Sequence, residues 1–319
     1  MVQGLLKMSL NQEMQMGIEA LQNNKIQEAE KIFKSLSNHH PSDHEVIHLL
    51  GITYQLLNKI DEAIVYYKKA IDIKPNFAEA HKNLGNMFYK LGKINEAEPC
   101  YKKSIQLDPK LEEAKINLEI VLEQKKVLEW ISKNKNLKKN TQRKTLKNPF
   151  ITKRKVELNL LDQLYKIQTL DLEETKDIRF GNGKCSSDLK LFEKKNKIIE
   201  SVSVDIINII KKIIGSEIYI AESFFNILKT GSGTKPHKHL APFDKQTGID
   251  KQKYSLTYYV SVGDQTGKEP GILKLYDPHE DILPSDGTLV IIPSGRTHSS
   301  FYDGKKDRVM IGVNFYSLY

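Results

Sequence analysis

The side chains best suited to chemistry cluster late in the chain. The stretch KPHKHLAPFDK, residues 235–245, sets His237 and His239 one residue apart, and His298 follows GTLVIIPSGRT. In an extended strand residues i and i+2 share a face, so His237 and His239 project together. Converging imidazoles can hold a transition metal, whereas each histidine taken singly reads as an ordinary surface or core residue. Arg308 then opens RVMIGVNFY. Read as a strand, this segment turns Arg308, Met310, Gly312 and Asn314 one way and Val309, Ile311, Val313 and Phe315 the other. The second face is wholly apolar and belongs in a core. The first carries a cation inward, and a buried arginine needs an anionic partner because an unpaired charge away from water costs several kcal/mol.

The remaining histidines read differently. His39, His40, His44, His48 and His81 lie in the first half without ligand-like convergence, and His279 in YDPHED sits beside a turn, where exposure is expected. Gly231 and Gly233 in KTGSGTK lack the Lys-Ser/Thr that opens a phosphate-binding helix, so they read as a turn before the histidine pair.

What could position such a site? A chain of 319 residues is long enough for two domains, each with its own core. Cys100 and Cys185 are too few for a disulfide framework and form no C-x-x-C pair, which fits a reducing compartment. The apolar run VDIINIIKKIIG is interrupted by Lys211 and Lys212, and no basic region followed by an apolar one opens the chain. A cytoplasmic protein without a transmembrane segment is expected. The net charge of +9 is local: residues 133–155 hold ten Lys/Arg and no acid, so the rest of the chain, +9 less +10, carries −1. This stretch reads first as a solvated linker and second as a contact for nucleic acid or an anionic surface.

An internal repeat of 34 residues organises the first half. Gly17, Gly51 and Gly85 recur in register, as do Ala29, Ala63 and Ala97, then Phe33, Tyr67 and Tyr101, then Pro41, Pro75 and Pro109. Each unit reads as two helices that approach closely at the Gly and Ala, with the aromatic between them and the Pro ending the second. The pattern resembles the tetratricopeptide repeat (TPR) over about residues 10–111. Position 119 breaks the glycine column with Glu119, so residues 112–132 read as a polar-faced capping helix, closing a TPR array over 1–132. The resemblance implies an all-α solenoid whose concave groove takes a protein or peptide.

The second half, residues 156–319, changes period. Helical patterning over 156–215 gives way to IYIAESFFNILK, KYSLTYYVSV, GILKLYD, GTLVIIPS and DRVMIGVNFY, which are rich in β-branched and aromatic residues and separated by Gly, Pro and Asp. A helical layer followed by a double-sheet barrel over 216–319 is expected, with RFGNGKCSSD as a loop near its mouth. The order ESFFN, PHKH, SLTYYV, GILKLYDP, PSDG, TLVIIPS, TH and DRVMIGVNF resembles the iron(II)- and 2-oxoglutarate-dependent oxygenases, nearest to the bacterial group in which repeats precede the oxygenase domain. That resemblance implies an α+β double-stranded β-helix, or jelly roll of the cupin-like kind.

The same resemblance implies an enzyme, a dioxygenase acting as a hydroxylase, with Fe(II), the cosubstrate 2-oxoglutarate and O2. His237, His239 and His298 would hold the iron, and no catalytic side chain is expected beyond the metal centre. Arg308 would take the far carboxylate of 2-oxoglutarate, a task suited to a planar guanidinium. Tyr258, Thr257 and Asn226 are candidate further contacts, which strand alternation alone does not separate. Most relatives have an acid where this chain has His239. Three arrangements follow: a three-histidine site, a site in which Asp244 supplies the carboxylate, or a site that binds iron poorly. The competing functions are a catalytically silent interaction protein and a three-histidine, cupin-like dioxygenase that does not use 2-oxoglutarate.

Overall fold

A computed structural model describes residues 9–140, 148–174 and 178–318. The chain divides into two compact units, Met1–Lys126 and Val127–Tyr319, with the division inside the seventh helix.

The first unit is a run of antiparallel helix pairs: α1 (Leu10–Gln22) with α2 (Ile26–His39), α3 (His44–Leu56) with α4 (Ile60–Ile73), and α5 (Ala78–Lys90) with α6 (Ile94–Leu107), followed by α7 (Glu112–Lys133). Local chemistry sets the starts. Ser9 and Gln12 form a reciprocal capping box at α1, and the Asp43 carboxylate accepts from the Glu45 and Val46 amides at α3. The repeated columns are one contact made three times. A Cβ on Gly17 would stand 2.5 Å from the Phe33 ring, and one on Gly51 or Gly85 would stand 2.8 Å from Tyr67 or Tyr101. The aromatic of each second helix therefore lies directly on the glycine of the first, and Ala29, Ala63 and Ala97 are fully buried at the same interfaces. The tyrosine hydroxyls stay satisfied, Tyr67 donating to Gln55 Oε1 and Tyr101 to Asn86 Oδ1, each at 2.8 Å.

The second unit is α+β, with two antiparallel sheets. Its elements are β1 (Phe150–Lys153), α8 (Leu160–Tyr165), β2 (Thr169–Asp171), β3 (Arg179–Phe180), β4 (Gly183–Ser186), α9 (Lys197–Ile214), β5 (Ile218–Leu228), β6 (Ser232–His237), α10 (Pro242–Gln246), β7 (Lys253–Ser261), β8 (Pro270–Leu275), β9 (Glu280–Ile282), β10 (Thr288–Pro293), β11 (His298–Tyr302) and β12 (Arg308–Ser317). A seven-stranded sheet runs β1-β10-β7-β12-β5-β4-β2, and a five-stranded sheet runs β3-β6-β11-β8-β9. No ladder joins the two among the described residues, so the two sheets expected from the sequence are present but not closed on one another. The alternation read in β12 holds: Val309, Ile311, Val313 and Phe315 join the core in which α9 places Ile199, Val202, Ile206 and Ile210. Helix α9 is capped by Asn196, whose side chain accepts from the Ile198 and Ile199 amides, and it ends at Gly215 in the left-handed region.

Two expectations change. The region 156–215 holds α8 and α9 but is not a helical layer throughout, because β2 and β4 extend the large sheet and β3 the small one. RFGNGKCSSD, expected as a loop, supplies β3 and β4. These segments are too short and too Gly- and Lys-rich to show a period of two, and the open edges of β5 and β6 recruit them. The basic stretch 133–155 is likewise not all linker. Its residues 141–147 lie outside the described residues, but Phe150–Lys153 pairs with β10, and Arg154 binds Glu157, Asp205 and the Tyr258 hydroxyl. Among the described residues no helix is long and apolar enough to cross a membrane.

In the repeat unit, His48 is 8% exposed, against Phe77 and Tyr67, and its Nε2 accepts from the Asn83 amide at 2.9 Å. Burial, with Lys82 and His44 acting the same way, lowers its pKa from 6.5 to about 4. The unfolded chain takes up a proton below pH 6.5 and folded His48 does not until about 4. Its contribution is therefore complete above the unfolded value and is lost as pH falls through that window, by up to about 3 kcal/mol. Replacing His48 with Leu should shrink the difference in melting temperature between neutral and mildly acidic buffer; an unchanged difference would show that other groups carry it.

Candidate metal centre

The two sheets enclose a cavity of about 230 Å³. Large-sheet strands β5, β7 and β12 present Glu222, Thr257 and Asn314 to it, and small-sheet strands β6 and β11 present His237, His298 and Ser300. His237 ends β6 and pairs in register with His298 at the start of β11. His239 lies two residues further on, where its amide donates to the Ser294 carbonyl at 2.9 Å and so keeps the chain extended past the end of β6. The His237 and His239 rings both line the cavity, their centroids 4.9 Å apart.

One ligand nitrogen from each of His237, His239 and His298 lies within 4.8 Å of the others. The Nε2 atoms of His239 and His298 are 3.2 Å apart, which is about the nitrogen spacing around one ion with bonds near 2.1 Å. The far side of each ring decides what it offers. His237 Nδ1 meets the Lys235 carbonyl at 2.8 Å and His298 Nδ1 meets the Arg296 carbonyl at 3.2 Å. A carbonyl only accepts, so Nδ1 carries the proton in both and Nε2 turns a lone pair to the cavity. Burial pushes the His298 pKa down to about 4, with His237 adding to the effect, and holds His239 well below the usual histidine range. A neutral ring whose Nε2 lone pair is free, as in His298, binds a cation without first losing a proton.

Arg308 is fully buried on the inner face of β12 that also carries Met310, Gly312 and Asn314. Its guanidinium lies 4.8 Å from the Tyr259 ring centre and 5.6 Å from that of Tyr302, and Nη1 donates to the Pro270 carbonyl at 3.1 Å. Nε and Nη2 are buried with no partner. Burial lowers its pKa from the usual arginine value, against the pull of the tyrosines. Gly271 makes the room, since a Cβ there would fall 1.4 Å from Nη1. Tyr302, which covers Arg308, follows His298 and Ser300 on the same face of β11, about 13 Å along the strand from His298.

The other expected residues separate. Asn226 and Thr257 line the cavity, and Asn226 Oδ1 lies 3.4 Å from Arg179 Nη1. Tyr258 does not: it belongs to the opposite face of β7, in the core shared with α9, and its hydroxyl accepts from Arg154. The period of two makes Thr257 and Tyr258 mutually exclusive, and the packing of α9 settles the choice. Asp244 is also elsewhere. It caps α10 by accepting from the Ala241 amide at 2.7 Å, and it further holds Lys253 at 3.0 Å and the Tyr316 hydroxyl at 2.6 Å. Those three bonds occupy a fully buried carboxylate that stays outside the histidine cluster.

Several cavity residues carry no role in the sequence reading, Ser300, Glu222 and Arg179 among them. Ser300 is reachable from His298 by counting two along β11, and its buried Oγ has no partner. Glu222 lies within the ESFFN segment. Arg179 comes from β3, which no pattern announced.

Replacing Asp244 with Ala strands Lys253 in a largely buried position and should cost roughly 3–5 kcal/mol of stability, read from the urea midpoint, while Co(II) still binds with unchanged stoichiometry. Loss of Co(II) at undiminished stability would return Asp244 to the ligand set.

Comparison with known proteins bears on the first half. The tetratricopeptide repeat family matches residues 78–111, and the TPR repeat family matches residues 51–92. No curated protein matches the chain. Among solved structures, the first TPR of Spaghetti (RPAP3), bound to the HSP90 peptide SRMEEVD, is 20% identical, with 35% of this chain and 89% of that chain covered and a TM-score of 0.34. The Yersinia enterocolitica type III secretion chaperone SycD, in complex with a peptide of the translocator YopD, is 20% identical over 36% of this chain and 94% of that one, with a TM-score of 0.35. The Arabidopsis OM64 TPR domain is 15% identical over 35% and 93%, with a TM-score of 0.34. The chain thus carries helical repeats of the tetratricopeptide type, followed by a sheet-rich C-terminal domain.

Proposed function

We propose that the C-terminal domain is an iron(II)- and 2-oxoglutarate-dependent oxygenase of the jelly-roll kind, acting as a hydroxylase, and that the repeat groove recruits a protein or peptide. One joint observation carries the reading: three imidazoles converge in a cavity between two sheets, and the inner face of β12 buries an arginine with two unpartnered nitrogens. An orphaned guanidinium edge fits a carboxylate, since a bidentate anion satisfies Nε and Nη2 together. His237, His239 and His298 would hold the iron, and Arg308 the far carboxylate of 2-oxoglutarate.

When bound, iron, 2-oxoglutarate and O2 together would supply oxidative decarboxylation to succinate and CO2 coupled to hydroxylation of a substrate C–H bond, one oxygen atom of O2 entering succinate and the other the product. The chain's own residues do the positioning. The carbonyls of Lys235 and Arg296 fix two imidazoles with Nε2 inward, and burial keeps His239 and His298 unprotonated. Tyr259 and Tyr302 flank the guanidinium and keep water from it. Ser300 Oγ and Thr257 add polar contacts on facing walls. Helix pairs stacked in register leave an extended groove, the shape that receives a peptide.

A second reading rests on one observation. Arg308 is covered by its tyrosines and is not among the residues lining the cavity. That suits a three-histidine dioxygenase that does not use 2-oxoglutarate, with Arg308 purely structural. Succinate formation from 2-oxoglutarate by the iron-loaded chain decides between them. Turnover should vanish in His298→Ala, and Arg308→Met should raise the KM for 2-oxoglutarate roughly 10- to 100-fold, the scale of a lost charged hydrogen-bond pair. Iron binding without succinate, or a KM indifferent to Arg308, favours the second reading. No iron binding at all leaves an interaction protein.

A further inference from the structure

The acid in the cavity wall has no counterion. Glu222, on the inner face of β5, is met by its register partner on β12, Asn314, whose Nδ2 donates to Oε2 at 2.5 Å. An amide carries no charge, and among the described residues no ion pair or second hydrogen bond engages the carboxylate. Asn314 is 3% exposed, so the position of that charge is fixed from a buried strand. Two residues on, and so about 7 Å along the same face of β5, Phe224 also lines the cavity. Its ring lies over Gly312, where a Cβ would overlap it, so β12 gives up a side chain to seat the ring there. Arg179, the cation of the wall, is held at the other end beside Asn226, about 13 Å along β5 from Glu222. An unpaired carboxylate and an aromatic ring side by side suit an organic cation, the carboxylate accepting its N–H groups and the ring attracting its charge.

We propose that Glu222 and Phe224 select the substrate of this centre: an ammonium or guanidinium group on an apolar stem, presented as the basic side chain of a polypeptide. Glu222 pairs with the charge, and Phe224 packs against the stem and the cation. The pair stands close to the histidines, because the Asn314 Nδ2 that holds Glu222 is 3.4 Å from His239 Nδ1. A side chain anchored there brings its own methylene groups, not its backbone, to the centre. The inference rests on the function proposed above and names a substrate class for it.

The probes are capped peptides Gly-Gly-Xaa-Gly-Gly with lysine, arginine, norleucine or glutamate at the centre, titrated by NMR into the full chain with and without Co(II). Norleucine is the uncharged counterpart of lysine, and broadening of a peptide's side-chain signals by Co(II) places it in the cavity and not in the repeat groove. The lysine or the arginine peptide should bind about 10-fold or more tightly than the norleucine peptide and lose its side-chain signals first; the better of the two names the cation. Glu222→Gln should cost the cationic peptides about 10- to 100-fold in affinity, the scale of a charged hydrogen-bond pair, and Phe224→Leu roughly threefold to tenfold, with the norleucine peptide little changed. Melting curves run alongside, and should Glu222→Gln unfold, Phe224→Leu reads the same pocket. Equal binding of the norleucine peptide, tighter binding of the glutamate peptide, no binding of any, or an undiminished preference in folded Glu222→Gln would overturn the proposal. The metal reading is tested apart from it: a chain that binds no Co(II) ends that reading, while titration of the metal-free chain still shows whether a cation preference exists and depends on Glu222.

Discussion

Strand β12 is hydrogen-bonded on both sides, to β5 and to β7, along almost its whole length, and every one of its residues is buried. A strand in that position has no freedom of register, because a slip of one residue would send Arg308 and Asn314 into an apolar core and Val309 and Ile311 into the cavity. The outward face meets the isoleucine stripe of α9, and that packing holds the strand in place. The inward face consequently presents an arginine at one end and, six residues on, an amide beside His239. The cavity is arranged around that constraint.

Burial then does opposite things to different charges. It lowers the proton affinity of His239 and His298, leaving lone pairs available at neutral pH. It leaves Arg308 with no carboxylate, and two tyrosines and one carbonyl offset its desolvation. Asp244, equally buried, is fully satisfied by an amide, an ammonium and a hydroxyl. One buried charge is fully partnered within the fold, and the other keeps two nitrogens without a partner.

The repeat unit obeys a simpler rule. Each helix pair approaches as closely as a glycine permits, and an aromatic ring fills the resulting contact, so Gly17, Gly51 and Gly85 are set by sterics with Phe33, Tyr67 and Tyr101.

Much of this was legible in the sequence, where the signal is local or periodic. A repeat shows itself as columns, so the helix pairs and their close contacts follow from residue types alone. β-Branched and aromatic composition between Gly, Pro and Asp marked β5, β7, β8, β10 and β12 as strands, alternation split β12 into two faces, and same-face geometry paired His237 with His239. Other features depended on which surfaces meet. Strands β1 to β4 are too short and polar to be periodic, and only the edges they complete make them strands. Alternation offered Thr257 and Tyr258 equally until α9 claimed one face. Asp244 is close to the histidines in sequence, but the turn of α10 carries its carboxylate to Lys253 and Tyr316. Glu222 and Asn314 are far apart in the chain and become neighbours only through antiparallel register, a relation that no single stretch of sequence contains.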